Sequence, residues 1–212
     1  MSGAPVLVKQ PYKKESYTEN QIAEIVKAAT DPIYFIREYM WIQHPTKGRV
    51  KFELYDYQIE LINAYQNHKY SINMLGRQMG KSTCAAGYLL WFAMFVPDST
   101  ILIAAHKYTG SQEIMQRVRF MYESLPEWIK AGAVSYNKGS IDFDNGSRIV
   151  SATTTENTGR GMSITLVYLD EFAFVPPRIA KEFWTSLSPT LSTGGKCIIT
   201  STPCLLYTSP SP

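Results

Sequence analysis

The sequence lacks most of the features that announce the large non-enzymatic protein classes. Its three cysteines, Cys84, Cys197 and Cys204, form no CxxC pair and no Cys/His spacing. That excludes a disulfide framework or zinc site of the usual kinds, and the thiols read as buried. No apolar run reaches the roughly eighteen residues of a membrane-spanning helix. Residues 1–14 also lack the apolar stretch of a signal peptide, so a soluble, intracellular protein is expected. Charge of one sign is scarce too: 21 basic against 18 acidic side chains leave a net charge of +3. So small an excess does not argue for a polyanionic partner. No internal repeat is present.

What the chain has is length and apolar content, 212 residues and 45% hydrophobic, enough for one α/β domain with a full core. Thr18-Glu19-Asn20-Gln21 has capping-box spacing and opens a helix to about Ala29. Asp31-Pro32 then reads as the cap and first residue of a second helix carrying Tyr34, Phe35, Tyr39 and Met40. A third helix is expected from about Tyr57 to Asn67. Beyond it strand and helix alternate: a strand over Tyr70 to Leu75, a helix over Lys81 to Phe95, a strand over Thr100 to Ala105 and an amphipathic helix over Ser111 to Leu125. Ile141 and Phe143 alternate with Asp142 and Asp144, and Asn145-Gly146 follows, which predicts a hairpin. Strands over Leu166 to Leu169 and Lys196 to Thr200 flank a helix over Ile179 to Leu191. This alternation predicts a mainly parallel sheet with helices on both faces.

Two motifs carry chemistry. Gly76-Arg77-Gln78-Met79-Gly80-Lys81-Ser82-Thr83 joins a strand to a helix, where successive backbone N–H groups and the helix N-terminus attract phosphate. Lys81 is placed to reach the β- and γ-phosphates of ATP and Ser82 to coordinate Mg²⁺. The loop is a variant of GxxxxGK[ST], because Gly76 stands four residues before Gly80 instead of five. The second motif is Asp170-Glu171 at the end of an apolar strand, the ligand-binding end of an open α/β sheet. Asp170 suits the Mg²⁺ shell and Glu171 the activation of a water for in-line attack. An Asp-Glu strand end is weak by itself; paired with a phosphate loop it becomes strong.

Several other residues are open on local sequence alone. Arg77 in the loop and Arg160 between Gly159 and Gly161 are both candidates to stabilise charge on the γ-phosphate, and Arg160 reads equally well as a solvated loop arginine. Gln58 reads as a surface helix residue or as a side-chain amide facing an adenine edge. Thr200, Ser201 and Thr202 end another apolar strand and either sense the γ-phosphate or cap the strand.

In order, the motifs are Leu54-Tyr55-Asp56-Tyr57-Gln58, the Gly76–Ser82 loop, Ile103-Ala104-Ala105-His106-Lys107, Tyr136-Asn137-Lys138-Gly139-Ser140, Asp144-Asn145-Gly146-Ser147, Arg160-Gly161, Tyr168-Leu169-Asp170-Glu171-Phe172-Ala173-Phe174 and Ile198-Ile199-Thr200-Ser201-Thr202-Pro203. Together they resemble the ATPase half of the large terminase subunit, the DNA-packaging motor of tailed bacteriophages, from roughly Asp31 to Pro203.

The resemblance implies a P-loop NTPase of the ASCE/RecA-like kind, with a helical lead-in over 1–50 and the ATPase domain over 51–203. By the same resemblance Gln58 reads adenine, Gly76 to Thr83 bind ATP, and Ser82 and Asp170 hold Mg²⁺. Glu171 becomes the catalytic base, Arg77 a cis arginine, Arg160 an arginine inserted into a neighbouring subunit, and Thr200 to Thr202 the coupling motif. It implies double-stranded DNA, a portal protein and a small terminase subunit as partners of a homo-oligomeric ring on the procapsid, in the host cytoplasm and with no membrane. The chain departs from the pattern after Pro203, where Asn-Gly is usual. Residues 204–212 are therefore expected to be a non-native or disordered tail, and nuclease activity is not expected. Two alternatives stand beside this reading: a superfamily 2 helicase-like ATPase fragment, and a nucleotide-binding fragment with little turnover.

Overall fold

A computed structural model describes residues 7–155, 158–159, 161–192 and 194–203. The first helix, α1 (Glu19–Thr30), begins at the expected capping box, with Thr18 Oγ1 accepting from Gln21 N–H and the Gln21 side chain accepting from Thr18 N–H. Asp31 caps α2 (Pro32–Tyr39) by accepting from Ile33 and Tyr34 N–H groups. The second helix is tied to the first through one carboxylate, since Tyr34 and Tyr39 of α2 each donate to Glu24 Oε2 of α1 at 2.6 Å.

The lead-in is not wholly helical. It continues into an antiparallel hairpin, β1 (Trp41–His44) and β2 (Gly48–Lys51), that the sequence reading did not contain. Four-residue strands give no readable period, but the turn has a signal: Pro45 and Gly48 punctuate it, and Gly48 adopts φ +68°.

The chain then runs through α3 (Asp56–Asn67), β3 (Tyr70–Met74), α4 (Lys81–Phe95), β4 (Thr100–Ala105) and α5 (Tyr108–Ser124). After these come β5 (Ala133–Tyr136), β6 (Ser140–Phe143), β7 (Arg148–Thr153), β8 (Leu166–Asp170), α6 (Pro177–Ser192) and β9 (Lys196–Ser201). Strand β5 went unread in the sequence, and α5 starts three residues before Ser111. The Asn145-Gly146 turn joins β6 to β7 as expected, and Gly146 is required there. Its φ is +83°, and a Cβ would lie 2.1 Å from Asp98 Oδ1.

Seven strands form one sheet in the order β3-β9-β8-β4-β7-β6-β5; the first five are mutually parallel, and β6 and β5 are added by antiparallel pairing, so that β6 alone runs against the rest. The apolar strands divide their side chains by alternation between two cores. Ile101, Ile103, Leu166 and Tyr168 face the larger core beneath α1 to α5, while Leu102, Ala104, Val167 and Leu169 face Phe183, Leu187 and Leu191 of α6. Helix α4 is buried nearly all round, as its almost unbroken apolar sequence requires. Phe35 and Ile36 of α2 belong to the same core as α4, so the N-terminal helices pack onto the sheet domain. Among the described residues no helix is long and apolar enough to cross a membrane.

Candidate active site

Parallel pairing fixes where the chemistry-bearing residues meet. Thr200 lies opposite Asp170 in the β8–β9 register, and Ser201 opposite Met74 in the β3–β9 register. The ends of β8 and β9 therefore sit beside the loop that leaves β3.

That loop closes through left-handed backbone. Gln78 has φ +62° and Gly80, the N-cap of α4, has φ +75°. A Cβ at Gly80 would stand 2.7 Å from Gln58 Nε2, whereas at Gly76 it would meet only Met79 Sδ at 3.4 Å. The loop thus requires the second glycine more than the first. It is tethered to α3: Gln58 Nε2 donates to Met79 C=O at 3.2 Å, and Tyr57 Oη donates to the same carbonyl at 3.1 Å. Gln58 Oε1 accepts from Tyr55 N–H at 3.1 Å, so this buried amide already serves as a helix cap and a loop anchor.

Lys81 opens α4 and is 7% exposed. Its Nζ lies 2.7 Å from Glu171 Oε1 and donates to Thr202 Oγ1 at 2.7 Å. Thr202 completes a closed ring by donating its hydroxyl to Glu171 Oε1 at 2.7 Å and its N–H to Oε2 at 3.0 Å. Glu171 itself has φ +49° and caps a 3₁₀ turn over Phe172–Phe174. Burial pushes its carboxyl up, but the Lys81 ion pair and the two Thr202 bonds outweigh this and hold it below its ordinary value.

Asp170 behaves in the opposite way. Burial raises its carboxyl above the ordinary value, the hydroxyls of Thr200 and Tyr168 pull it partly back, and the neighbouring Glu171 charge adds to the rise. Thr200 donates to Asp170 Oδ1 at 2.9 Å and Tyr168 at 3.0 Å. Tyr168 is fully buried within an otherwise aliphatic strand, and burial keeps its phenol protonated as a donor. Sequence reasoning missed this partner, although a tyrosine in an aliphatic run that ends in Asp-Glu is a readable signal.

Ser82 Oγ lies 3.4 and 3.5 Å from the two Asp170 oxygens, long for a hydroxyl-to-carboxylate hydrogen bond. A hydroxyl facing a half-buried carboxylate whose Oδ2 meets only Ser82, at 3.5 Å, among the described residues fits a Mg²⁺ site in which water and phosphate would supply the remaining ligands. Among the described residues no group of three or more His, Cys, Asp or Glu side chains is placed to hold a metal ion.

The other expected site residues fall variously. Arg77 is exposed in the loop, with no hydrogen bond or ion pair among the described residues. Arg160 lies outside the described residues, as does the 204–212 tail. Thr83, Gln58, Gln78, Met79 and Gly80 line a cavity of about 460 Å³, together with Ile42, His44 and Val50 of the β1–β2 hairpin. A larger groove of about 680 Å³ runs along α5 past Tyr108, Gln112 and Lys138. It holds none of the candidate residues, so the converging charged groups, not cavity size, mark the site.

The family model described as terminase large subunit, T4likevirus-type, N-terminal, matches residues 72–206, more than half of the chain. In structure the chain is similar to the large terminase ATPase domain of Thermus phage P74-26, at 25% identity and a TM-score of 0.60 over 72% of this chain and 66% of that one. It is also similar to the HK97 bacteriophage large terminase, at 17% identity and a TM-score of 0.65 over 82% and 37%. The large terminase of a thermophilic bacteriophage, in complex with ADP, matches at 12% identity and a TM-score of 0.53 over 70% and 39%. The chain therefore spans well under half of the last two proteins. These likenesses establish a P-loop ATPase-domain fold with a mostly parallel sheet flanked by helices.

Proposed function

This chain belongs to the terminase large subunit family, and on that premise we propose that it hydrolyses ATP to drive double-stranded DNA into a viral procapsid. The observation that carries the reading is the convergence of Lys81, Ser82, Asp170, Glu171 and Thr202 at the adjoining ends of α4, β8 and β9.

In this reading residues 51–203 form the ATPase domain and 1–50 a lead-in packed upon it. The backbone of Gly76 to Gly80 and the N-terminus of α4 receive the phosphates, with Thr83 beside them and Gln58 near the adenine. When ATP binds, Lys81 leaves Glu171 for the β- and γ-phosphate oxygens. Ser82 and Asp170 would hold Mg²⁺, which would supply neutralisation of phosphate charge there. Freed from its lysine, Glu171 orients the attacking water and takes its proton. Arg77 and Arg160 stabilise the charge that develops on the γ-phosphoryl group, Arg160 in a neighbouring subunit's site. Thr202 bonds to both Lys81 and Glu171, so departure of the lysine must rearrange the end of β9. That gives Thr200, Ser201 and Thr202 a physical means of passing the state of the nucleotide to the rest of the motor.

Membership of the family supports the remaining parts of the proposal: a homo-oligomeric ring on the procapsid, working with a portal protein and a small terminase subunit in the host cytoplasm. The thermophilic phage neighbour's complex with ADP supports the choice of adenine nucleotide. The closed ring around Glu171 also favours a second reading, in which this chain binds ATP and turns it over slowly. Phosphate release measured for wild type, Lys81→Ala and Glu171→Ala tests both. Hydrolysis abolished by either substitution supports the motor. Wild-type binding that Lys81→Ala abolishes, without measurable hydrolysis, supports the second reading. A wild-type rate that neither substitution lowers refutes the site.

A further inference from the structure

The β1–β2 hairpin carries none of the residues assigned above, yet its two faces are chemically distinct. Cross-strand register pairs Ile42 with Val50 and His44 with Gly48, which sets these on one face and Trp41, Gln43, Arg49 and Lys51 on the other. On the latter face the Arg49 guanidinium lies 4.6 Å and the Lys51 ammonium 5.5 Å from the Trp41 ring centre. Arg49 thus lies with Trp41, while Lys51 meets both the Trp41 ring and the edge of the cavity on the other side. The Ile42/Val50 face presents aliphatic side chains and the His44 imidazole to the cavity of about 460 Å³ shared with Tyr57, Gln58 and the phosphate loop, with Lys47, Lys51 and Glu53 also in its lining.

That cavity adjoins the phosphate-binding residues at Gly80 and Thr83. A recess that sets aliphatic side chains beside polar and charged ones suits a planar heteroaromatic ring that carries hydrogen-bonding atoms. Gln58, the residue expected to read the base, has its amide committed to Tyr55 N–H and Met79 C=O. His44 is better placed to donate. Its Nδ1 accepts the N–H groups of Thr46 at 3.2 Å and Lys47 at 3.3 Å, which leaves Nε2 as the nitrogen that carries a proton to donate. Gly48 has no side chain to crowd His44 from across the hairpin.

We propose that this hairpin face is a wall of the nucleobase pocket, with Ile42 and Val50 packing against the purine ring and the His44 Nε2–H donating to a ring acceptor. The inference rests on the ATP-binding reading above and adds to it the element that tells one base from another.

The test compares Mg·ATP, Mg·GTP and inorganic tripolyphosphate binding to the whole chain by isothermal titration, for wild type, Val50→Asp, His44→Ala and Lys81→Ala. Tripolyphosphate reports the phosphate loop without a base. Val50→Asp is expected to weaken ATP at least about tenfold by forcing a carboxylate against the ring. His44→Ala is expected to weaken it about fivefold, the worth of one neutral hydrogen bond, and to change the ratio of ATP to GTP affinity. Both should bind tripolyphosphate as wild type does, while Lys81→Ala loses every ligand. If both hairpin variants bind ATP as tightly as wild type, the inference is overturned and the phosphate-site reading stands. If their ATP and tripolyphosphate affinities fall together, the hairpin acts on the fold and the inference is again overturned. Failure of wild type to bind tripolyphosphate refutes the ATP-binding reading and the inference with it.

Discussion

Replacing Glu171 with glutamine should slow hydrolysis and tighten nucleotide binding at once. In the free protein Lys81 is held by Glu171 at 2.7 Å, and ATP must break that pair before the lysine can reach phosphate. The Lys81 side chain is 8% exposed and the Glu171 side chain 34%, so the pair sits between an exposed ion pair and a buried one. Exposed pairs contribute about 0–1 kcal/mol and broken buried pairs cost about 3–5 kcal/mol; with the carboxylate a third exposed, about 1 kcal/mol is the reasonable share. Released to the ligand, that is about a fivefold gain in affinity, since about 1.36 kcal/mol is tenfold. Loss of a positioned base should slow hydrolysis by about 10²–10⁴. Equilibrium binding of Mg·ATPγS and single-turnover hydrolysis measure the two effects separately. Thr202→Val serves as the control, because it removes a hydroxyl bonded to both Lys81 and Glu171 without removing charge. It should tighten binding in the same direction by less. If Glu171→Gln binds no tighter than wild type, Lys81 is not held in reserve. If Glu171→Gln alone tightens, the gain is a charge effect and the ring does not compete with phosphate.

Gly80→Ala places a side chain at φ +75° and 2.7 Å from Gln58 Nε2, so it should cost about 1–2 kcal/mol or more in stability, whereas Gly76→Ala should be near neutral in thermal melts. The depressed carboxyl of Glu171 contributes stability that is full above its ordinary value of 4.5 and lost as pH falls through the lower, folded value. Melting temperature should therefore fall more steeply on the acid side for wild type than for Glu171→Gln. Burial pushes the Cys84 and Cys197 thiols up to about 12. Neither should react with iodoacetamide at pH 8 in the folded chain, and both should react once it is unfolded, as peptide mass spectrometry will show.

The sheet was legible because its central strands are apolar runs, and the first two helices because they begin at residues with a clear capping chemistry. Thr18 and Asp31 gave α1 and α2 their starts, and Lys81 to Phe95 was read as α4 with the boundaries the structure has. The strands that escaped, β1, β2 and β5, are four residues long and only partly buried, so neither alternation nor hydrophobicity marks them. Within the site, the motif residues were readable because phosphate chemistry demands Lys, Ser and paired carboxylates at strand ends. The pairing of Lys81 with Glu171 through Thr202 was not. It joins side chains far apart in the chain, with 121 positions separating Lys81 from Thr202, and no local pattern reports such a contact. For Gln58 the local capping pattern and the adenine expectation compete for one amide. The hydrogen bonds show it serving the cap and the loop.

The account turns on Lys81 exchanging Glu171 for phosphate, and a crystal structure of the chain soaked with Mg·ATPγS tests that directly. The account predicts Lys81 Nζ on the β- and γ-phosphate oxygens, Mg²⁺ between Ser82 and Asp170, and Glu171 free to face the γ-phosphate. A nucleotide bound while Lys81 remains paired with Glu171 and Thr202, or bound away from the Gly76–Ser82 loop, would contradict it.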